Sequence, residues 1–283
     1  MPLIENIVWS APPDLPGVEI ISAENNQKAW SVLHKTYTIC TMDTYLSKEG
    51  DPRPGESVWV SRGKMHHSPN RSMMLLEPGE VHRNIKDPPP CNFYVALIDP
   101  HLVNRAAYEA GINTNPHFKQ AATGDLRLHR AFVRFHSALA EQTSLLHSQS
   151  LLMNCIGALI GGHCEQNPRP AAHPGKRALF RARDFLQEHC TEKISLDQLA
   201  DMAGLSRFHF LRSFAKEFGL PPHAYQVQLR IQRIRLLIKM GVPPHAIEAG
   251  FTDQSHLIWQ FRRAMGVTPG GYAAMMGMGT GML

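Results

Sequence analysis

Residues 195–219 read SLDQLADMAGLSRFHFLRSFAKEFG, and residues 245–266 read HAIEAGFTDQSHLIWQFRRAMG. Each stretch sets a small residue four positions before a glycine, an apolar residue directly after it, then a capping residue and an apolar-periodic run. In the first, Ser195 and Gln198 form a capping box that opens a short helix. Its apolar side is Leu196, Leu199, Ala200 and Ala203. Gly204 ends it by supplying a positive φ that a Cβ would disfavour. Leu205 anchors the turn and Ser206 caps the next helix, which buries Phe210, Phe214 and part of Leu211. In the second stretch Ala246 and Gly250 repeat Ala200 and Gly204, because the crossing of two helices admits only a small side chain there. Phe251 takes the place of Leu205, Thr252 or Asp253 that of Ser206, and Leu257 and Phe261 are the buried positions. The second turn is one residue longer. An amphipathic run, HAYQVQLRIQRIRLLIKMG at 223–241, joins the two. One such turn is weak evidence; two, 46 residues apart across a helix, predict tandem helix-turn-helix units.

A recognition helix of this kind fits the major groove and presents side chains to base edges, and two on a rigid connector would enter segments about 34 Å apart. The candidate base readers are Arg207, Leu211 and Arg212 in the first unit, and Gln254, Ser255 and Trp259 in the second. Arg212 suits guanine and Gln254 adenine. Phe208 and Lys216 share the outer face of the first helix. Arg262 and Arg263 suit phosphates, which position without specifying. The charge distribution agrees: from Lys176 onward there are 14 Lys/Arg against 8 Asp/Glu, whereas residues 1–175 hold 15 against 16. Excess positive charge in the C-terminal third suits a polyanion such as double-stranded promoter DNA.

GFTDQSHLIWQFRRAMGVTPGGY, residues 250–272, closely resembles the signature of the AraC/XylS family of transcriptional regulators. The first unit and the connecting helix, with Arg230, match the family's DNA-binding domain as well. The resemblance covers residues 177–275 and implies an all-α domain of seven helices that binds tandem major-groove segments. Two positions depart from it. Trp259 stands where the family usually has an arginine, so the bidentate guanine contact gives way to an apolar one, such as with a thymine methyl. Ile234 stands where a small alanine is usual, which alters packing but not the fold.

Upstream, IVWS, VEIIS, AWSVLH, TYTICTM, SVWVSRG, SMMLLEPG and NFYVALID are short β-rich runs separated by Pro/Gly/Asn/Asp clusters, a pattern of sandwiches and barrels. A helical period follows, with Leu128, Phe132, Phe135 and Leu139, then Leu145, Leu151, Leu152, Ile156 and Ile160. Residues 1–165 resemble the cupin-like sensor domain of many family members, through His34 and Tyr37 and through LEPGEVHR (76–83). The resemblance implies a β-barrel with two helices (about 121–164) that senses a small molecule and dimerises. The effector residues expected are Tyr37, Trp59, Arg62, His82 and Tyr94. The linker is 166–176, the DNA-binding domain 177–275 and the tail 276–283, so the whole is an α+β multidomain chain.

Alternative functions find less support. A metal-dependent cupin enzyme needs a His-x-His pair, a carboxylate and a further His. His66 and His67 are adjacent and on a strand point to opposite faces. His34, Glu80 and His82 could gather around an ion, but the resemblance implies a metal-free pocket without a cofactor, and no catalytic set stands out. Five scattered cysteines, never spaced as CxxC, suit reduced thiols, and none has the context of an alkyl-accepting nucleophile. With 43% hydrophobic and 19% charged residues, the disordered and fibrous classes are excluded. No signal peptide or bilayer-length run is visible, so the expectation is a cytoplasmic, non-membrane regulator. RNA polymerase and a second copy of the chain are further candidate partners. No residue separates an activator from a repressor.

Overall fold

The computed structural model describes residues 6–27, 29–44, 56–85, 90–110, 112, 115–140, 145–165 and 174–277. The strands are β1 (Asn6–Ser10), β2 (Val18–Asn26), β3 (Ser31–Leu33), β4 (Tyr37–Thr44), β5 (Glu56–Ser61), β6 (Lys64–Pro69), β7 (Met73–Leu76), β8 (Val81–Asn84), β9 (Cys91–Ile98) and β10 (Ala122–Thr123). Helix α1 (Pro100–Glu109) precedes β10, and α2 (Leu126–Ala140) and α3 (Leu145–His163) follow it. The C-terminal part is helical: α4 (Pro174–Glu188), α5 (Leu196–Ala203), α6 (Arg207–Phe218), α7 (Pro222–Lys239), α8 (Gln254–Met265) and α9 (Pro269–Met275).

The strands make two antiparallel sheets, ordered β1-β2-β9-β4-β7-β10 and β3-β8-β5-β6. The closed barrel expected from sequence does not form among the described residues. A barrel removes its edges by pairing them; here the outer edge of β3 is covered by a helix instead. Alternation sorts the larger sheet into two faces. Ile20, Ile39, Ala96 and Ile98 pack on Phe132, Phe135, Ile156 and Leu159 of α2 and α3. Ile21, Cys40, Val95 and Leu97 face the other way, toward Trp59 of the smaller sheet and the C-terminal helices.

Two elements differ from expectation. Helix α1 was not anticipated, although Asp99 caps it by accepting from the His101 N–H at 2.8 Å and Pro100 sits in its first turn. Before α8, residues 245–250 form only a turn, in which the Ala249 N–H donates to the His245 carbonyl (3.1 Å) and the Phe251 N–H to that of Ala246 (2.8 Å). The described part of the C-terminal region thus has six helices and this turn, where the resemblance implied seven helices.

Helix α7 lies between α4 and α6, α8 and α9, and β3 of the smaller sheet, which explains why its buried residues run all round it. On one side Arg230 donates from Nε to the Cys190 carbonyl (2.7 Å) and from Nη2 to that of Glu192 (3.0 Å). On another, Gln228 donates to the Ser31 carbonyl (2.9 Å) and Gln232 to that of Leu33 (2.5 Å). Four residues of helix rise about 6 Å and two of strand about 6.6 Å, so this spacing lets one helix face serve alternate carbonyls of β3. Beyond them Arg235 meets Glu19 of β2 at 2.6 Å, both nearly inaccessible. Lys239 and the Tyr272 hydroxyl (2.9 Å) also bind Glu19. Burial would raise the Glu19 carboxyl, but Arg235 and Lys239 outweigh it and hold the group below its ordinary value.

Candidate nucleic-acid interface and effector cavity

Helix α5 opens on the expected Ser195–Gln198 capping box and closes on Gly204 at φ 64°. Ser206 caps α6 by accepting from the His209 N–H, and Gly219 at φ 78° ends it. Phe210 and Phe214 are fully buried, which fixes the face α6 shows to solvent. That face carries Arg207, Arg212 and Lys216, with Leu211 at its margin. Arg207 donates from Nη2 to Asp197 of α5 (2.6 Å), so its guanidinium is oriented across the turn. The side chain of Phe208 lies outside the described residues.

In the second unit Asp253 caps α8 by accepting from the His256 N–H at 2.8 Å. Leu257 and Phe261 are buried; Gln254, Ser255, Trp259 and Arg262 are exposed on the opposite side. Trp259 is 55% exposed, and the Arg263 guanidinium lies 5.3 Å from its ring centroid. Gly250 has no room for a side chain: a Cβ there would come within 2.7 Å of Arg230 Nε and of the Thr191 carbonyl. The small-residue pattern therefore marks where the second unit presses on the linker between α4 and α5.

The expected effector residues are not gathered at one place. Tyr37 donates to the Pro116 carbonyl (2.7 Å) in the core beneath α1–α3, and burial drives its phenol far up. Trp59 is inaccessible, donates to Ser68 Oγ (3.0 Å) and stacks on His66 at 4.3 Å. Arg62, at φ 50°, forms with Gly63 (φ 68°) the two-residue turn between β5 and β6. Its side chain binds Glu77 (2.9 Å) and Glu80. Tyr94 packs edge-on against His136 of α2. Of the five, His82 alone lines the cavity described below. Glu80, considered as a ligand beside His34 and His82, is turned to Arg62 and to the Glu77 N–H (2.9 Å). Among the described residues no three His, Cys, Asp or Glu side chains converge on a metal position.

That cavity, about 90 Å³, lies between the inner face of the larger sheet, the β3–β8 edge and the end of α8. Trp9, Asn26, Trp30 and Phe93 line it from the strands, and Arg263 to Gly266 close it from the DNA-binding side. Gly266 is pinned there, since a Cβ would lie 2.6 Å from Ile7 Cδ1. His34 and His82 stand with ring centroids 5.7 Å apart. Burial pushes His82 down to about 4; burial, Arg235 and His82 hold His34 well below its ordinary value. Asn26, Trp9 and Trp30 escaped sequence reasoning. Asn26 enters the wall through an irregularity in the β2–β9 register, preceded by Asn25 at φ 55°, and nothing in its neighbours announces a bulge.

A family of helix-turn-helix domains matches residues 199–275. YbfI of Bacillus subtilis, described as an uncharacterised HTH-type transcriptional regulator, is 27% identical over 189 residues, covering 65% of this chain and 69% of that protein. VirF of Yersinia enterocolitica, a virulence regulon transcriptional activator, is 31% identical over 100 residues, covering 34% of this chain. Residues 199–275 thus carry a helix-turn-helix domain similar to that of these transcriptional regulators. The match to VirF spans 37% of that relative's length, so what AraC-type relatives share with this chain there is the DNA-binding region. The crystal structure of ToxT from Vibrio cholerae O395 aligns over 92% of this chain and 97% of its own with a TM-score of 0.51 at 12% identity. An apo ToxT variant from strain SCE256 gives 0.54. At such identity the likeness establishes the fold, an AraC-type arrangement of N-terminal sheets and C-terminal helices. Among the described residues no helix is long and apolar enough to cross a membrane.

Proposed function

We propose that this AraC-type regulator reads two adjacent major-groove segments with α6 and α8, as tandem helix-turn-helix units, and that a small molecule in the interdomain cavity controls it. In this reading Arg207, Leu211 and Arg212 face one half-site, and Gln254, Ser255 and Trp259 the other. Arg262 and Lys216 serve phosphates. Residues 1–165 act as the sensor and 177–275 as the reader. The observation that carries the proposal is the cavity's double wall, β-strands on one side and the end of α8 on the other. A ligand held by both must bind differently when α8 moves, and that difference is what shifts a two-state population.

The test is operator affinity of the full chain, on DNA obtained by in-vitro selection, with and without fractionated cell metabolites. A fraction should change affinity for the wild type and not for Val95→Phe, which fills the cavity. Affinity unmoved by every fraction would count against effector control while leaving DNA reading intact.

A further inference from the structure

Three polar atoms of residues that line the cavity make no hydrogen bond within the described structure: Asn26 Nδ2, Asn26 Oδ1 and Trp9 Nε1. Asn26 is 1% exposed, so its amide is shut off from bulk solvent with neither its donor nor its acceptor used. Buried polar groups are paired in the great majority of cases, and leaving one unpaired is costly. The cavity's 90 Å³ is several times the ~10–15 Å³ that one water needs, so it has room for more than a bridging solvent molecule.

We propose that the cavity is a receptor for an uncharged, largely aromatic ligand bearing a carboxamide or an equivalent adjacent donor and acceptor, recognised by Asn26. The assignment rests on the reading of this cavity as the effector site. The walls set the apolar part: Trp9, Trp30 and Phe93 offer ring faces, and Met42 and Met74 adapt to irregular shapes. Asn26 sets the polar part. A primary amide holds a donor and an acceptor side by side, and its complement is a group with the same pair reversed. Trp9 Nε1 adds one further donor, at the margin.

The charges nearby explain why the ligand is neutral. The Arg235 guanidinium beside His34 is already engaged by Glu19 (2.6 Å) and by Gln232 (2.7 Å). Arg263 lines the cavity from the α8 side, and its guanidinium lies 5.3 Å from the centroid of the exposed Trp259 ring, which places its charge at the mouth. Burial keeps both imidazoles in their neutral form at ordinary pH. A carboxylate entering here would give up its hydration for an amide and two uncharged rings.

Benzamide, benzoate and ethylbenzene, close in size, separate the possibilities when titrated calorimetrically into the full chain. Benzamide should bind at least tenfold more tightly than either of the others. Asn26→Leu should weaken benzamide tenfold or more and bring ethylbenzene level with it or ahead. Asn26→Ser, a smaller disturbance, should likewise lose the benzamide preference and serves if the leucine variant does not fold. The proposal fails if no probe binds, if the wild type ranks ethylbenzene or benzoate equal to or above benzamide, or if the folded variants keep the wild-type ranking. Operator affinity measured in parallel separates the two readings. Amide-selective binding without any effect on DNA supports the receptor assignment and removes its control of DNA. An ethylbenzene effect on operator affinity that ignores Asn26 keeps the control and removes the amide-recognition assignment.

Discussion

Arg212 and Trp259 sit on corresponding exposed faces of α6 and α8, yet they ask different things of DNA. A guanidinium presents a fork of donors to a guanine edge; an indole face presents only apolar surface and its quadrupole. Arg212→Ala should therefore cost about 1–3 kcal/mol on the selected operator and relax one half-site, as read by competition with base-substituted duplexes. Equal loss on random DNA would reassign it to phosphate contact. Replacing Trp259 by Arg should introduce a guanine preference in the other half-site, visible by in-vitro selection. His82 is one residue whose titration bears on stability. Its unfolded value is near 6.5 and burial lowers the folded one to about 4. Between those limits the unfolded chain binds a proton that the folded chain refuses, so stability falls as pH drops from 6.5 toward 4, by up to ~3 kcal/mol. Denaturant titrations at stepped pH should show that slope, and His82→Gln should lessen it, leaving the part that His34, likewise held neutral by burial, contributes. The exposed faces of α6 and α8 were legible from the sequence, because helical period and caps fix them. The cavity residues were not: Tyr37, Arg62 and Tyr94 have the right chemistry but are spent on a carbonyl, two glutamates and a histidine ring.

Among the elements, the Gly250 turn is the most exacting. It needs a positive φ (84°) and has Arg230 and the Thr191 carbonyl where a Cβ would go. Gly250→Ala should destabilise the domain by about 1–3 kcal/mol from the backbone alone, with the steric conflict added. Thermal unfolding of the full chain measures it; no change would mean that α7 and the α4–α5 linker separate easily. The sequence assigns the alanine of this pattern to a helix crossing and the glycine to a positive φ; the contact of Gly250 with the α4–α5 linker is not visible in it. Strands with β-branched, alternating residues, such as β2, β4 and β9, were legible. Strand β6 was not, because KMHHSP has neither high β-propensity nor an apolar face; its pairing with β5 through the Arg62–Gly63 turn makes it a strand. Helix α1 did carry its signal in Asp99–Pro100, overshadowed by the strand that runs into it.

On the scale of the whole molecule, the C-terminal helices are built onto the N-terminal sheets. Trp9 and Tyr272 meet edge to face at 5.3 Å, and one apolar cluster runs from Ile21 and Trp59 to Phe251 and Phe261. No sequence pattern reports such long-range closure, since the partners are more than 200 residues apart in some pairs, as with Glu19 and Arg235. Glu19→Gln should leave the Arg235 guanidinium buried without its counter-charge and cost about 3–5 kcal/mol. Because the Glu19 carboxyl is held below 4.5, its contribution is complete above that value and is lost as pH falls through the lowered one. Hydrogen exchange of α7 amides, faster in the variant at neutral pH and converging with wild type in acid, checks both statements.

The paired glutamines on α7 have a consequence for association. Gln228 and Gln232 cover the outer carbonyls of β3, an edge strand of the smaller sheet. Any swing of the reader that draws α7 away uncovers a strand template, and an open template is satisfied most readily by another strand. Release of the reader and self-recognition of the chain would then be two sides of one event: a molecule freed to reach along DNA would also be one newly able to find its twin, and its response would steepen with its own concentration.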